Sequence, residues 1–338
     1  MKTAALAVWM VGIVAVVGMV IWSGAGSVGD AVARAGWGVL AVVLLRAVQM
    51  ASAGAAWWLV LPPAVRPPLG MVELLRMVRE GGNSLLPVAQ VGGDVIGARL
   101  LTFWRIDGAT AAASVIVDVT MLAGTQFAFT VIGVLLLAYL SGSGPIVRDT
   151  AAGLVLAACG LTALFLIQGK GGRGALQRLL GRIAGGTKWQ ALAAIDKVYG
   201  ALGMLYARRA ALAGAATIHL VIWFIGVGEV WAALAAMGYP LSYREALVIE
   251  SLLHALRGAA FLVPGALGIQ EGGAIALCAL FGVPMDAALA LSLIKRIADA
   301  AIGIPGLVFW QALEGRRFLR GRRPGPPLPQ PAEGPSRS

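Results

Sequence analysis

The stretch FLVPGALGIQEGG, Phe261 to Gly273, puts a proline, four glycines and a glutamate into one run of a strongly apolar chain. Proline removes a backbone donor and blocks continuation of a helix, and glycine permits a sharp turn and close packing. The run therefore reads as a membrane helix broken in its middle, with Glu271 just beyond the break. A shift of 177 residues lays ELLRMVREGGNSLLPVAQVGGD, Glu73 to Asp94, over ESLLHALRGAAFLVPGALGIQE, Glu250 to Glu271. Glu73 meets Glu250, Leu75 meets Leu252, Gly81 meets Gly258, Leu85 meets Leu262, Pro87 meets Pro264 and Asp94 meets Glu271. The same offset superposes the helix starting near Ala109 on that starting near Asp286, and a near-identical one superposes the Gly38 helix on the Ala210 helix. A duplicated four-element unit is the simplest account.

The rest of the chain sets these breaks in a bilayer. Of its 338 residues 59% are hydrophobic and 13% charged, and runs of 18 or more residues carry almost no ionisable group. That pattern predicts a polytopic all-α membrane protein. Spans are expected at Ala4 to Trp22, Gly38 to Pro62, Ala109 to Tyr139, Ala151 to Gln168, Ala210 to Gly238 and Asp286 to Leu313. Trp22, Trp37, Trp57, Trp58 and Trp310 lie near their ends, as interface anchors should. Lys2 before the first apolar run also suits a secretory signal, but the run is too long for a signal core, so an uncleaved helix is expected.

The formal charge of +11 is not spread evenly. Gly169 to Arg209 holds eight basic residues and one acid, and Glu314 to Ser338 holds six and two. Basic residues beside spans mark the cytoplasmic side and attract anionic headgroups, which explains the charge without nucleic acid. With linker 169–209 and tail both inside, six spans and two re-entrant hairpins close the topology: the N-terminus is cytoplasmic and the hairpins enter from opposite faces. Two full spans in place of the hairpins keep linker and tail inside as well. The expected organisation is a first repeat half at 1–145, a second at 146–315 running the opposite way, and a disordered, proline-rich tail at 316–338. Inverted repeats meeting at broken helices are a common transporter layout. Within the linker, LQRLLGRIAG and ALAAIDKVYGALGML read as amphipathic helices on the inner leaflet.

Asp94 and Glu271 have two readings: a substrate or proton site near the pseudo-twofold axis, or structural acids satisfied at the start of the second half-helix. Arg46, Asp118, His219, Glu229, Lys295, Arg296 and Asp299 fall within expected spans, with Arg99, His254 and Arg257 in or beside the hairpins. Such charges tend to pair and to face an interior or wet cavity. The spacing of Lys295, Arg296 and Asp299 allows a pair on one helix face. Arg46, Arg99, Arg257 and Arg296 present forks that fit a phosphate, and join Asp94 and Glu271 as candidate substrate-binding residues. Pro87, Gly92, Gly93, Pro264, Gly265 and Gly268 are the expected hairpin-break residues. GAGSVG, Gly24 to Gly29, follows a span rather than a strand and reads as an external loop, not a dinucleotide site. Cys159 and Cys278 read as buried, inert thiols. No catalytic residue, metal site or cofactor is expected.

LLPVAQVGGDVIGARLL, Leu85 to Leu101, and FLVPGALGIQEGG resemble the flippase-like membrane proteins related to the N-terminal region of lysylphosphatidylglycerol synthases. The resemblance covers roughly residues 5–315. VGGDVIGARLL, SVIVDVTM and PGALGIQEGG are most similar to the branch associated with bacterial hopanoid biosynthesis. It implies a non-enzymatic, multi-pass inner-membrane lipid transporter handling a hopanoid, polyprenyl or anionic phospholipid, with hopanoid-biosynthesis proteins as partners. The alternatives are a lipid-modifying membrane enzyme or an accessory scaffold. The short segment after the last span leaves no room for an aminoacyl-transfer domain, so lysyl transfer is not expected of this chain.

Overall fold

The computed structural model describes residues 25–86, 91–142, 144–183 and 188–321, with Met10, Val14, Val17 and Ile21. Among them the chain is all α, with twelve helices and no strand. α1 (Ala25–Ala35) leads into α2 (Trp37–Val60), a pair of short arms α3 (Leu69–Ser84) and α4 (Gly92–Leu101), and the long α5 (Gly108–Ser141). α6 (Pro145–Gln168), α7 (Lys170–Ile183) and α8 (Lys188–Tyr206) lead to α9 (Arg209–Ala236). A second pair of arms, α10 (Tyr243–Ala259) and α11 (Ile269–Ala279), precedes α12 (Met285–Gly321).

Among the described residues, four helices are long and apolar enough to cross a membrane: α2, α5, α9 and the Val147–Gln168 part of α6. Almost all of the expected first span, Ala4 to Trp22, lies outside the described residues. The 37-residue α12 is long enough to cross, but Lys295, Arg296 and Asp299 interrupt its apolar run. The arms behave differently. α3, α4, α10 and α11 have 16, 10, 17 and 11 residues. At 1.5 Å per residue they reach roughly 15–26 Å, short of a hydrocarbon core of about 30 Å. α3 folds back on α4 and α10 on α11, so each pair has the dimensions of a hairpin dipping into the bilayer.

The breaks fall where the helix-breaking residues are. Pro87 lies outside the described residues, between the end of α3 and the start of α4. In the second break Gly265, Ala266 and Gly268 take φ of +61°, +47° and +81°. Left-handed backbone costs glycine little, whereas Ala266 adopts it against its Cβ and is held between two glycines that do not resist.

Packing follows the 177-residue correspondence. α2 packs along α9; α3 packs on α12, and its counterpart α10 packs on α5, the counterpart of α12. The contacts α2–α3, α4–α5 and α2–α12 likewise have α9–α10, α11–α12 and α9–α5 as equivalents. Glycine makes the α3–α12 approach possible: a Cβ on Gly81 would stand 2.5 Å from the Gly303 carbonyl oxygen, and one on Gly306 2.5 Å from the Met77 carbonyl. The equivalent of Gly81, Gly258, faces the Gln126 amide across α10 and α5.

Five local expectations change. Residues 25–29 of GAGSVG form the first turns of α1, because Val28, Ala31 and Ala35 bury an apolar stripe against α9 and α12. Trp57 is fully buried, not an interface anchor: its indole N–H donates to Ser114 Oγ at 3.2 Å and the Arg79 guanidinium lies 4.4 Å over the ring. Cys278 is buried, but Cys159 is exposed on α6, most of which no other helix covers. α12 runs on to Gly321, six residues into the segment expected to be tail; 322–338 lie outside the described residues. The linker helices form as expected, but Ala201, Leu202 and Leu205 of α8 pack into a core with α2, α5 and α9 instead of facing only a leaflet. Arg208 donates to the carbonyls of Val60 and Leu61 at 2.7 and 3.0 Å, and Arg66 donates to Leu61 at 2.7 Å, so two cations cap the C-terminus of α2.

Candidate functional site

Asp94 and Glu271 occupy the same place in their hairpins, the third residue of the second arm. There the unpaired amides and the helix dipole favour a negative charge. Glu271 is fully buried; it accepts from the Gly268 N–H at 2.8 Å, from Ser292 at 3.0 Å and from Arg296 Nε at 2.6 Å. Arg296 also donates to the Gly265 carbonyl at 3.2 Å, which ties α12 to the break. Asp94 accepts from Arg79 Nε at 2.8 Å and from the Asn83 amide at 3.3 Å, and Asn83 Oδ1 accepts from the Gly93 N–H at 2.7 Å. The arms close this tightly only with glycine: a Cβ on Gly93 would stand 2.0 Å from the Arg79 carbonyl oxygen. Gly92 opens α4 one residue earlier.

Between the hairpins runs a ladder of alternating charge. Arg46 of α2 donates through Nε and Nη2 to the two carboxylate oxygens of Glu229 on α9, at 2.8 and 2.7 Å. Its Nη1 donates to Asp299 of α12. Lys295 bridges Glu229 at 3.0 Å and Glu250 of α10 at 2.8 Å. Glu250 meets His254 Nε2 at 3.0 Å, and Asp299 meets Arg257 Nη1 at 3.3 Å. The order is His254, Glu250, Lys295, Glu229, Arg46, Asp299, Arg257. Arg46, Glu229, Glu250, Lys295 and Asp299 are buried, while His254 and Arg257, the two ends, keep 20% and 15% of their side chains exposed. Glu229 and Asp299 are each shared by two cations, and Glu250 by Lys295 and the His254 ring, which is how charges persist away from water.

A second cluster surrounds Asp118 of α5. Arg79 Nη1 donates to it at 2.7 Å, Arg76 Nη1 approaches at 3.4 Å and His219 Nε2 lies at 3.1 Å. Arg79, Asp118 and His219 are fully buried. Glu80 stands 4.0 Å from Arg76, one turn along α3.

The hairpin tips meet. A Cβ on Gly265 would lie 3.0 Å from the Ser84 carbonyl oxygen at the end of α3, and Leu85 packs on Gly303 of α12. Around this meeting point Val91, Val95, Phe261 and Leu262 are exposed apolar side chains. Beside them stand the part-exposed Arg257 and Arg296, and a buried Arg296 Nη2 has no hydrogen-bond partner among the described residues. Arg296 and Arg257's partner Asp299 are one turn apart on α12, so both guanidiniums serve the same level of that helix.

The candidate residues thus divide. Arg296 pairs with Glu271 and reaches the second break at Gly265, and Arg257 meets α12 one turn away at Asp299; Asp94 is turned toward Arg79; Arg46 lies inside the ladder, between Glu229 and Asp299. Arg99 stands apart, exposed and paired with Glu314 at 3.1 Å. The local pair expected among Lys295, Arg296 and Asp299 does not form, because each finds a partner on another helix. Arg76, Arg79, Glu80 and Glu250 were missed as pairing groups. Their signal is the i, i+3 spacing of Arg76 and Arg79 on the face that also buries Val72 and Leu75, and the match of Glu250 to Glu73 in the repeat. No cluster of metal-ligating side chains occurs among the described residues.

The family model for the lysylphosphatidylglycerol synthase TM region matches residues 9–306. Neither the comparison with curated proteins nor that with solved structures gave a match. That match spans the whole helical core, both broken hairpins and the ladder between them. The chain is a multi-pass membrane protein of the lysylphosphatidylglycerol synthase transmembrane-region family.

Proposed function

We propose that the chain is a bacterial inner-membrane lipid transporter of the flippase type, with both termini cytoplasmic and two inverted halves whose re-entrant hairpins meet near mid-membrane. The observation that carries the reading is the pair of part-exposed arginines, Arg257 and Arg296, set between exposed apolar side chains where the two breaks touch. A guanidinium fork suits a phosphate or carboxylate headgroup, and the apolar rim suits acyl or polyprenyl tails that stay in the bilayer. The lipid is then a hopanoid-related, polyprenyl or anionic phospholipid, and the halves rock against each other to open the site to either leaflet. The amount of buried charge favours this over a passive scaffold. Apolar replacements would hold two helices together at less desolvation cost, so a ladder kept in the membrane needs a use.

Purified protein in liposomes should move labelled phosphatidylglycerol, a hopanoid or a polyprenyl phosphate between leaflets, and Arg257→Gln with Arg296→Gln should abolish the exchange. No exchange of any of these lipids would refute the reading. A chemically altered lipid after incubation would replace it with an enzymatic one.

A further inference from the structure

The ladder has two accessible ends of different chemistry. At one end is His254, whose imidazole is the side-chain type that changes charge between about pH 5 and pH 8. At the other is Arg257, held by its single longest link, 3.3 Å to Asp299. With His254 neutral, the ladder contains three cations, Arg46, Lys295 and Arg257, and three anions, Glu229, Glu250 and Asp299. A proton on His254 adds one positive charge to a closed balance inside a membrane.

The shared carboxylates say where that charge is felt. A protonated His254 satisfies Glu250 and weakens its hold on Lys295. Lys295 then leans on Glu229, Arg46 leans on Asp299, and Asp299 has less need of Arg257. His254 and Arg257 also lie one turn apart on α10, where like charges repel. The charged groups around His254 are Glu250 and Arg257 on its own helix, with Lys295 of α12 and Glu229 of α9 across Glu250. α9 also sets the Trp223 ring edge-on at 4.9 Å, and α5 offers the neutral Gln126, whose amide donates to the His254 carbonyl at 2.8 Å. Each of these leaves the ladder as the outlet for added charge.

We infer that His254 is the binding site of a coupling proton, and that its protonation frees Arg257 for an anionic headgroup at the far end of the ladder. For the identity of that anion as a lipid headgroup, this rests on the transport reading. Linkage is reciprocal, so an anion bound at Arg257 must in turn favour the proton on His254.

The chain has only two histidines, which makes the test direct. The full-length protein, labelled in histidine and arginine side chains, is placed in phosphatidylcholine or phosphatidylglycerol nanodiscs and followed by NMR from about pH 8 to pH 5. His254→Gln assigns the histidine signals and Arg257→Lys the guanidinium. The expected result is that His254 gains a proton and that the protection of the Arg257 side-chain N–H from exchange, measured against free arginine at the same pH, falls at least about fivefold toward the acid end. His254→Gln, neutral at every pH, removes the exchange response, as does Glu250→Gln, which cuts the second rung. Phosphatidylglycerol moves His254 protonation to higher pH than phosphatidylcholine does. Arg257 protection that does not change with pH, or that falls equally in His254→Gln, overturns the inference. Leaflet exchange is not part of this readout. A chain that passes but moves no lipid removes the transport reading and leaves the ladder, and one that moves lipid but fails does the reverse.

Discussion

Glu229→Gln is the sharpest probe of the ladder, because it changes charge with almost no change in volume. Glu229 is fully buried and takes four donors: Arg46 Nε and Nη2 at 2.8 and 2.7 Å, Gln49 at 2.8 Å and Lys295 at 3.0 Å. An amide keeps one acceptor oxygen and turns an NH2 toward cations that can only donate. Removing one partner of a buried ion pair costs about 3–5 kcal/mol, most of it from the charge left without a partner. For domains of this order a kcal/mol corresponds to a few degrees, so the unfolding midpoint in nanodiscs should fall by roughly 5–15 °C. Glu314→Gln, which breaks the exposed pair with Arg99, is the matched control and should cost no more than about 1 kcal/mol. The double variant Glu229→Gln with Lys295→Met removes one charge of each sign and should recover part of the loss. A Glu229→Gln protein as stable as wild type, or a double variant losing the full sum of the two single changes, would refute the view that these charges are held by one another.

Other expectations follow from single contacts. Gly81→Ala should lower stability by about 1–3 kcal/mol through overpacking against Gly303, while Gly153→Ala, with open space around it, should not lower the midpoint in the same thermal scan. A lipid-soluble maleimide should label Cys159 in the folded protein and Cys278 only after denaturation, as mass spectrometry would reveal. Asp107 caps α5 by accepting from the amides of Ala109 and Thr110, and Asp107→Ala should cost about 1 kcal/mol. Hydrogen bonds from Thr110, then from backbone amides, hold the Asp107 carboxyl below the usual carboxylate range. Its contribution is therefore present above the unfolded-state value and lost as pH falls through the folded one. Wild type should lose stability below about pH 4 by more than Asp107→Asn does.

What could be read in the chain alone was whatever acts along it. Pro264, Gly265 and Gly268 disturb backbone geometry locally, so the second break was legible, and the repeat then located the first. The positions of Asp94 and Glu271 past those breaks followed directly: each sits in a first helical turn, as the structural reading has it, and Glu271 also reaches Arg296. The pairings were not legible. Arg46 and Glu229 are 183 residues apart, and only the packing of α2 along α9 brings them together. Helical spacing pointed instead to Asp299 with Lys295 or Arg296, which tertiary partners override. Trp57 was misplaced for a related reason. Proximity to a span end suggests an anchor, but the buried Arg79 supplies a cation over its ring and Ser114 an acceptor for its N–H, so it can be interior. Exposure of Cys159 was equally hidden, since an apolar helix reads alike whether lipid or protein covers it.

The most direct test of the central claim is the lipid composition of each leaflet of the membrane that holds the protein, compared among cells with the protein, without it, and with Arg257→Gln. Transport through the meeting point of the hairpins predicts that one hopanoid, polyprenyl or anionic lipid collects in a single leaflet when the protein is absent, and that Arg257→Gln reproduces that imbalance at normal protein levels. Leaflets identical in all three would contradict it.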